Sequence, residues 1–539
     1  MSRILLIATA VLSIGCASSG TTSSGGVAPT RDSQINVVEL TIGQVQADYA
    51  AKKYTAVQLV QAYLDRIATY EPHYNAFISM NPNALAEARA LDRELARSGP
   101  RGPLHGVPIV IKDNIDIGGL VTTAGFSGFS KTTGGIDMIP AQDADAVTRL
   151  RRAGAIIIGK TNMPDFAGNG TYSKSTVAGQ TFNPYADDRA PGGSSGGSAT
   201  AVNASFAVLG IGTETGGSIQ NPSAAQALVG MKPTFGLVPL SGVVPIDATF
   251  RDVVGPITRT VTDAAIILDI IAGPSTRDLA SYASVGKKPS TTFVSALKPT
   301  SLAGKRFGLV GVGWRRNFVP LAPETKAIYE RAVASLKARG AEVVEDPFLN
   351  TGWVELYGKQ PQASVGAHDM MVYMQGLGAT SPFHSVEEWQ KLSGKQMPGG
   401  GGRGNPVTIT ATEQIDNYGA WRRDMRALFR KVLADNKLDG LFFPQAGAPI
   451  TRRNGDATPN DHPELPSNVI NDIGLPTVTF PYAYYADGTP FNLAFIGDLW
   501  TDDKLLGWAF DLEQATRGRV QPKLTTVVPV LSAARPPGS

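Results

Sequence analysis

The 539-residue sequence contains a single cysteine, Cys16, and five histidines, His73, His105, His368, His384 and His462. One cysteine excludes an intramolecular disulfide, a Cys-based zinc cluster and an iron–sulfur site. The histidines are scattered, with no HExxH and no pair at metal-ligand spacing, so the sequence predicts neither a metal nor another cofactor. An excess of one charge is lacking too: 49 Lys plus Arg face 46 Asp plus Glu, a net charge of +3. That balance argues against nucleic acid or an anionic membrane as the default partner and points to a small molecule. No run of about 18 apolar residues occurs, so no transmembrane span is expected. Internal repeats are missing as well.

What is present is a chain with 42% hydrophobic and 18% charged residues, able to bury a large core. Its 59 Gly and 37 Pro are spread along the length, as in one large loop-rich enzyme. Residues 1–15 read as a signal peptide, with Arg3 as the charge and Ile4 to Ile14 as an apolar stretch too short to span a bilayer. Cys16 and the polar run after it have the layout of a bacterial lipoprotein leader with a flexible tether over 16–36. Two readings stay open, acylation at Cys16 or ordinary cleavage near Ala17. Both predict an exported protein, periplasmic, membrane-anchored or secreted, with residues 37–539 as its folded domain; the sequence leaves monomer and homodimer open.

Apolar spacing and the box Thr55-Ala56-Val57-Gln58 predict a helix over Thr55 to Tyr70, and a second over Ala84 to Arg97. Short β-branched runs follow at Val107 to Ile111, Ala155 to Ile158 and Phe206 to Ile211, separated by Gly, Ser and Asn-Pro turns. Thr262 and Asp263 are expected to cap a helix over Ala264 to Ile271, and Arg306 to Val312 reads as a buried strand. Helices are further expected over Glu324 to Arg339 and Asn417 to Leu433, and strands over Ala341 to Val344 and Leu441 to Phe443, with a hairpin turning at Asp487-Gly488. Pro398 to Pro406 is a glycine-rich loop. The alternation predicts an α/β fold: a single large α/β/α layered domain whose mixed, largely parallel central sheet is covered by helices.

Two motifs mislead. Gly154 to Thr161 fits the Walker A pattern by letter, but Ala155 to Ile158 would then be the phosphate loop, and they are themselves an apolar strand. Gly192-Gly193-Ser194-Ser195-Gly196 fits the nucleophile elbow G-x-S-x-G, yet turn-forming residues rather than a strand precede it. A His-dependent esterase using Ser194 or Ser195, with His368 or His462 as base, is therefore the weaker alternative.

Two Gly-Ser clusters carry the stronger signal, Pro191 to Ser198 and Gly212 to Ile219. An Ala- and Val-rich segment links them, so both leave a packed element. Consecutive glycines beside a serine let backbone N–H groups converge on one point, as an oxyanion requires. No histidine lies in or beside them. Upstream, Lys112 ends the apolar run Ile109-Val110-Ile111, where burial favours the neutral amine and makes it a candidate base.

With these residues the sequence closely resembles the amidase signature family. The resemblance is carried by Gly102 to Asn114, Gly159 to Met163, Gly192 to Ser198, Gly212 to Pro222 and Gly230 to Gly236, and runs from about Val37 to about Leu524. It implies a Ser-cisSer-Lys triad in an amidohydrolase of linear carboxylic amides. Ser218 would be the nucleophile, Ser194 the bridging serine after a cis bond from Gly193, and Lys112 the base. The backbone of Thr215, Gly216 and Gly217 would form the oxyanion hole, with Ser195 as a supporting donor. Two positions depart from the commonest family pattern. Glu214 stands where Asp is usual and Gln220 where Arg is frequent, which predicts a neutral or water-bridged contact in place of an ion pair. These departures also motivate a third alternative, a non-catalytic binding lipoprotein on the same fold. Trp353, Tyr357, Met370, Met371, Tyr373, Met374 and Phe383 form an aromatic and Met-rich stretch that is either core or the wall of an apolar acyl or aryl pocket. The export signal argues against the tRNA-dependent amidotransferase branch, and the pocket reading of that stretch favours an apolar or aryl acylamide, with a peptide amide as the other expected substrate.

Overall fold

Eleven strands make one sheet. In chain order they are β1 Phe77–Met80, β2 Pro108–Lys112, β3 Ile156–Thr161, β4 Leu209–Glu214, β5 Val229–Lys232, β6 Val253–Thr258, β7 Arg306–Leu309, β8 Glu342–Glu345, β9 Gly440–Pro444, β10 Thr477–Tyr484 and β11 Pro490–Ile496. Across the sheet they run β1-β3-β2-β4-β6-β5-β10-β11-β9-β7-β8. Pairing is parallel from β3 through β2 to β4, and again from β9 through β7 to β8. It is antiparallel from β4 through β6, β5, β10 and β11 to β9, and at the β1 edge. The structure, a computed structural model, describes residues 35–314, 320–362, 365–398, 411–453 and 467–526. The leader, Cys16, His462 and most of the glycine-rich loop lie outside the described residues. From Asn36 onward the chain forms one compact unit, the layered α/β domain that the alternation of elements predicts. Among the described residues, no helix is long and apolar enough to cross a membrane.

The strands that position the site follow from composition. β2 and β3 are continuous apolar runs buried along their whole length, as strands covered on both faces must be. Lys160 sits inside β3 with its Nζ 3.2 Å from Asp113 Oδ1 and donates to Thr122 Oγ1 at 2.6 Å, so the Walker-like letters are a buried strand with an internal ion pair. Helix Ala56–Tyr74 opens on the expected box, in which Thr55 accepts from the Gln58 N–H and the Gln58 side chain reaches back. Helix Val261–Ile271 begins earlier than its acidic residue suggests: Thr260 is the cap, accepting from Asp263 N, and Asp263 is drawn away to the Ile42 N–H. β7 stops at Leu309, and Val312 is 56% exposed where the chain turns. The aromatic and Met-rich stretch joins the core: Met370, Tyr373, Met374 and Phe383 pack with Phe129, Met163 and Trp389, while Trp353 stacks on Trp314.

Candidate active site

Lys112 is the last residue of β2 and Glu214 the last of β4, and parallel pairing of these neighbours brings both carboxyl ends to one edge. Ligand crevices of α/β sheets form at such edges. Lys112 is fully buried. Its Nζ lies 2.7 Å from Ser194 Oγ, 2.9 Å from Thr213 Oγ1 and 3.2 Å from Thr213 O. Burial draws its pKa down from the usual lysine range to about 7, against the pull of the Asp252 and Glu214 carboxylates. An amine in that state is neutral for much of the time near neutral pH.

The peptide between Gly193 and Ser194 is cis. The loop carrying Ser194 leaves no room for a larger residue: a Cβ on Gly192, whose φ is +76°, would meet Pro222 Cα at 2.4 Å. Both Gly-Ser loops are tied together, since Ser195 N donates to Ser218 O at 3.2 Å and Ser195 Oγ to Thr213 O at 3.2 Å. Ser218 is 6% exposed, whereas Lys112 and Ser194 are sealed at 0%. Ser218 is thus the member of the set that solvent can reach. Gly217 has φ +119°, a conformation few other residues adopt. Among the described residues, the N–H groups of Thr215, Gly216, Gly217 and Ser218 meet no hydrogen-bond acceptor. The described histidines pair elsewhere, His73 with Asp187, His105 with Leu91 O, His368 with Asp369 and His384 with Gly378 O.

The family model described as Amidase matches residues 58–506. The chain belongs to the amidase signature family. It is 32% identical to a glutamyl-tRNA(Gln) amidotransferase subunit from Alkaliphilus metalliredigens over 496 residues, 89% of this chain and 97% of that protein. The structure of the peptide amidase from Stenotrophomonas maltophilia matches at 32% identity with a TM-score of 0.72, covering 90% of this chain and 99% of that one. An amidase family protein from Bacillus anthracis matches at 28% identity with a TM-score of 0.74, over 90% and 93% of the respective chains. Family membership makes the protein an amidohydrolase acting on carboxylic amide C–N bonds.

In this amidase the two departures from the family pattern meet each other. Gln220 Nε2 donates to Glu214 Oε1 at 2.5 Å, so the contact is direct, an uncharged amide on a carboxylate in place of an ion pair. Glu214 also accepts from Asn471 Nδ2 at 2.8 Å, Ile219 N at 2.8 Å and Gln220 N at 3.0 Å. Four donors hold the carboxylate at the start of helix Gln220–Ala225, immediately after Ser218. Three functional neighbours escape a reading of the sequence. Thr213 supplies two of the three contacts of Lys112; it lies inside the recognised cluster, but its role needs the strand geometry. Ser173 donates to Gly192 O at 3.1 Å and accepts from Gly196 N at 3.0 Å, from a loop with no motif of its own. Asp252 accepts the Thr215 hydroxyl and the N–H groups of Ile246 and Asp247. Burial pushes its carboxyl up to about 6.

Proposed function

We propose that the protein is an exported amidase that hydrolyses a carboxylic amide through an acyl-enzyme on Ser218. The observation that carries this reading is the contact of the fully buried Lys112 amine with Ser194 Oγ at 2.7 Å, beside the N–H groups around Ser218. A neutral amine has two N–H groups and one lone pair. With Thr213 O and Thr213 Oγ1 taking the two N–H groups, the lone pair is left to accept the Ser194 proton. Ser194 then takes a proton from Ser218, whose oxygen attacks the amide carbonyl. The N–H groups of Thr215, Gly216, Gly217 and Ser218 receive the oxyanion, each donor worth about 3–4 kcal/mol in comparable hydrolases. The proton returns through Ser194 to the departing nitrogen, and water releases the acid.

The substrate is read as an apolar or aryl acylamide or a peptide amide. The likeness to the S. maltophilia peptide amidase supports the last of these, and the leader sequence supports export. The test is hydrolysis of anilides, aliphatic amides and peptide amides by the wild type and by Ser218→Ala, together with labelling by a fluorophosphonate. Wild-type hydrolysis and labelling, both lost in Ser218→Ala, are expected. Labelling that survives the substitution would overturn the assignment.

A further inference from the structure

A pocket opens between the first Gly-Ser loop at Gly192, helix Gln220–Ala225, the segment that follows β9 and the start of β11. Asn221, Gln445 and Asn492 line it with apolar walls that include Ala448, Ile450 and Phe491, and no charged side chain contributes. It adjoins the proposed reaction centre. Asn221 Nδ2 donates to Gly170 O at 3.2 Å, and the same oxygen accepts from Gly193 N at 2.9 Å, immediately before Ser194. Asn221 N is in turn bonded to Gly217 O at 2.7 Å, immediately before Ser218.

The three carboxamides are incompletely used by the fold. Gln445 is 1% exposed, and among the described residues neither its Oε1 nor its Nε2 has a partner. Among the described residues Asn221 Oδ1 and Asn492 Oδ1 also meet no partner, although Asn492 Nδ2 is anchored on Leu228 O at 2.9 Å and Ser223 O at 3.3 Å. Gln445 N donates to Asn492 O at 2.9 Å, which holds the two side chains on adjacent strands. An unpaired buried polar atom loses its hydration with nothing in return, at a cost to the fold. Such a cluster on one pocket wall is accounted for if a ligand supplies the partners.

We propose that this pocket is a subsite for an uncharged secondary amide next to an apolar side chain, so that the amidase prefers peptide-like substrates with a second amide near the scissile one. The substrate C=O would accept from Gln445 Nε2, and its N–H, which points the opposite way in a trans amide, would donate to one of the two asparagine oxygens, with Gln445 Oε1 as a further acceptor. A carboxylate in the same place would face those acceptor oxygens with no cation to balance it. The proposal rests on Ser218 as the reaction centre.

The test is a binding titration of N-acetylleucine methylamide and of N-acetylleucine with the full chain carrying Ser218→Ala, and with the same chain also carrying Gln445→Leu. The methylamide is expected to bind at least tenfold tighter than the free acid and to lose at least tenfold on Gln445→Leu. The melting temperature is expected to hold or rise, because an unpaired buried amide has been removed. Equal methylamide affinity in the two variants, no methylamide binding, or preference for the acid overturns the subsite. Should Gln445→Leu misfold, Gln445→Glu keeps the length and is likewise expected to lose the methylamide; retained affinity overturns the proposal. Failure of the amidase reading is seen separately, as absence of wild-type anilide hydrolysis and of fluorophosphonate labelling.

Discussion

Thr215 donates its hydroxyl to Asp252 at the point where the antiparallel register of β4 and β6 runs out, one step beyond the Glu214↔Val253 pair. The oxyanion loop is thereby fixed to a neighbouring strand, and the same carboxylate raises the basicity of Lys112. Asp252→Asn keeps an oxygen acceptor for Thr215 but removes the charge. The acidic limb of the pH profile of kcat/KM is expected to move to lower pH, because Lys112 then loses its proton more readily. The plateau is expected to fall by about tenfold from looser positioning of the loop donors. A pH–rate profile of the variant on an anilide checks both, and an unmoved limb would show that Asp252 does not act on Lys112.

Burial draws the Lys112 amine down to about 7, and the proposed relay uses its neutral form. Activity is therefore expected to rise with pH through about 7 and then level off. Lys112→Ala is expected to lose about 10²–10⁴-fold in kcat, the usual contribution of a positioned base. Lys112→Arg should be as inactive as the alanine variant, since a guanidinium stays protonated. A Lys112→Ala enzyme within a few-fold of the wild type at pH 8 would point to another base.

Apolar runs made the bodies of β2 and β3 legible, although β3 continues past Ile158 to Thr161, and Lys112 stood out because a charged residue directly follows one of those runs. The box at Thr55 was readable because capping is a local interaction. Asp252 was not, since its link to Thr215 arises from cross-strand register rather than from spacing along the chain. Gln445 and Asn492 were invisible for the same reason: nothing in Phe443-Pro444-Gln445 or Phe491-Asn492 says that their side chains share a pocket until β9 and β11 are seen to pair. The Met-rich stretch reads as core, the commoner place for such residues, or as a pocket wall, because burial behind other side chains leaves no periodic trace that separates the two.

The Glu214 carboxylate is satisfied by four N–H groups, one of which comes from the Gln220 side chain. Gln220→Leu removes that donor while filling the same space. It is expected to destabilise the fold by about 1–3 kcal/mol, the cost of leaving a buried acceptor short of a partner. Because this network holds the turn carrying Ser218, kcat is expected to fall more than KM rises. Denaturant unfolding alongside steady-state kinetics separates the two effects. A variant as stable as the wild type would mean that the remaining donors suffice.

Asp116 is buried beneath the Met-rich cluster, where Tyr373 donates to its Oδ1 at 3.0 Å and burial pushes its carboxyl up to about 7. In the unfolded chain the group ionises near its ordinary value of about 3.9. Between these two values the unfolded state binds fewer protons than the folded one, so stability falls as pH rises. The contribution is complete below about pH 4 and gone above about pH 7. Asp116→Asn cannot ionise, and its carboxamide oxygen still accepts from Tyr373. Other buried carboxyls titrate in the same window, so the informative quantity is the difference between variant and wild type. That difference in unfolding free energy is expected to shift in favour of Asp116→Asn from pH 5 to pH 8 and to stay level above it. A difference independent of pH would show that Asp116 is ionised in the folded protein throughout.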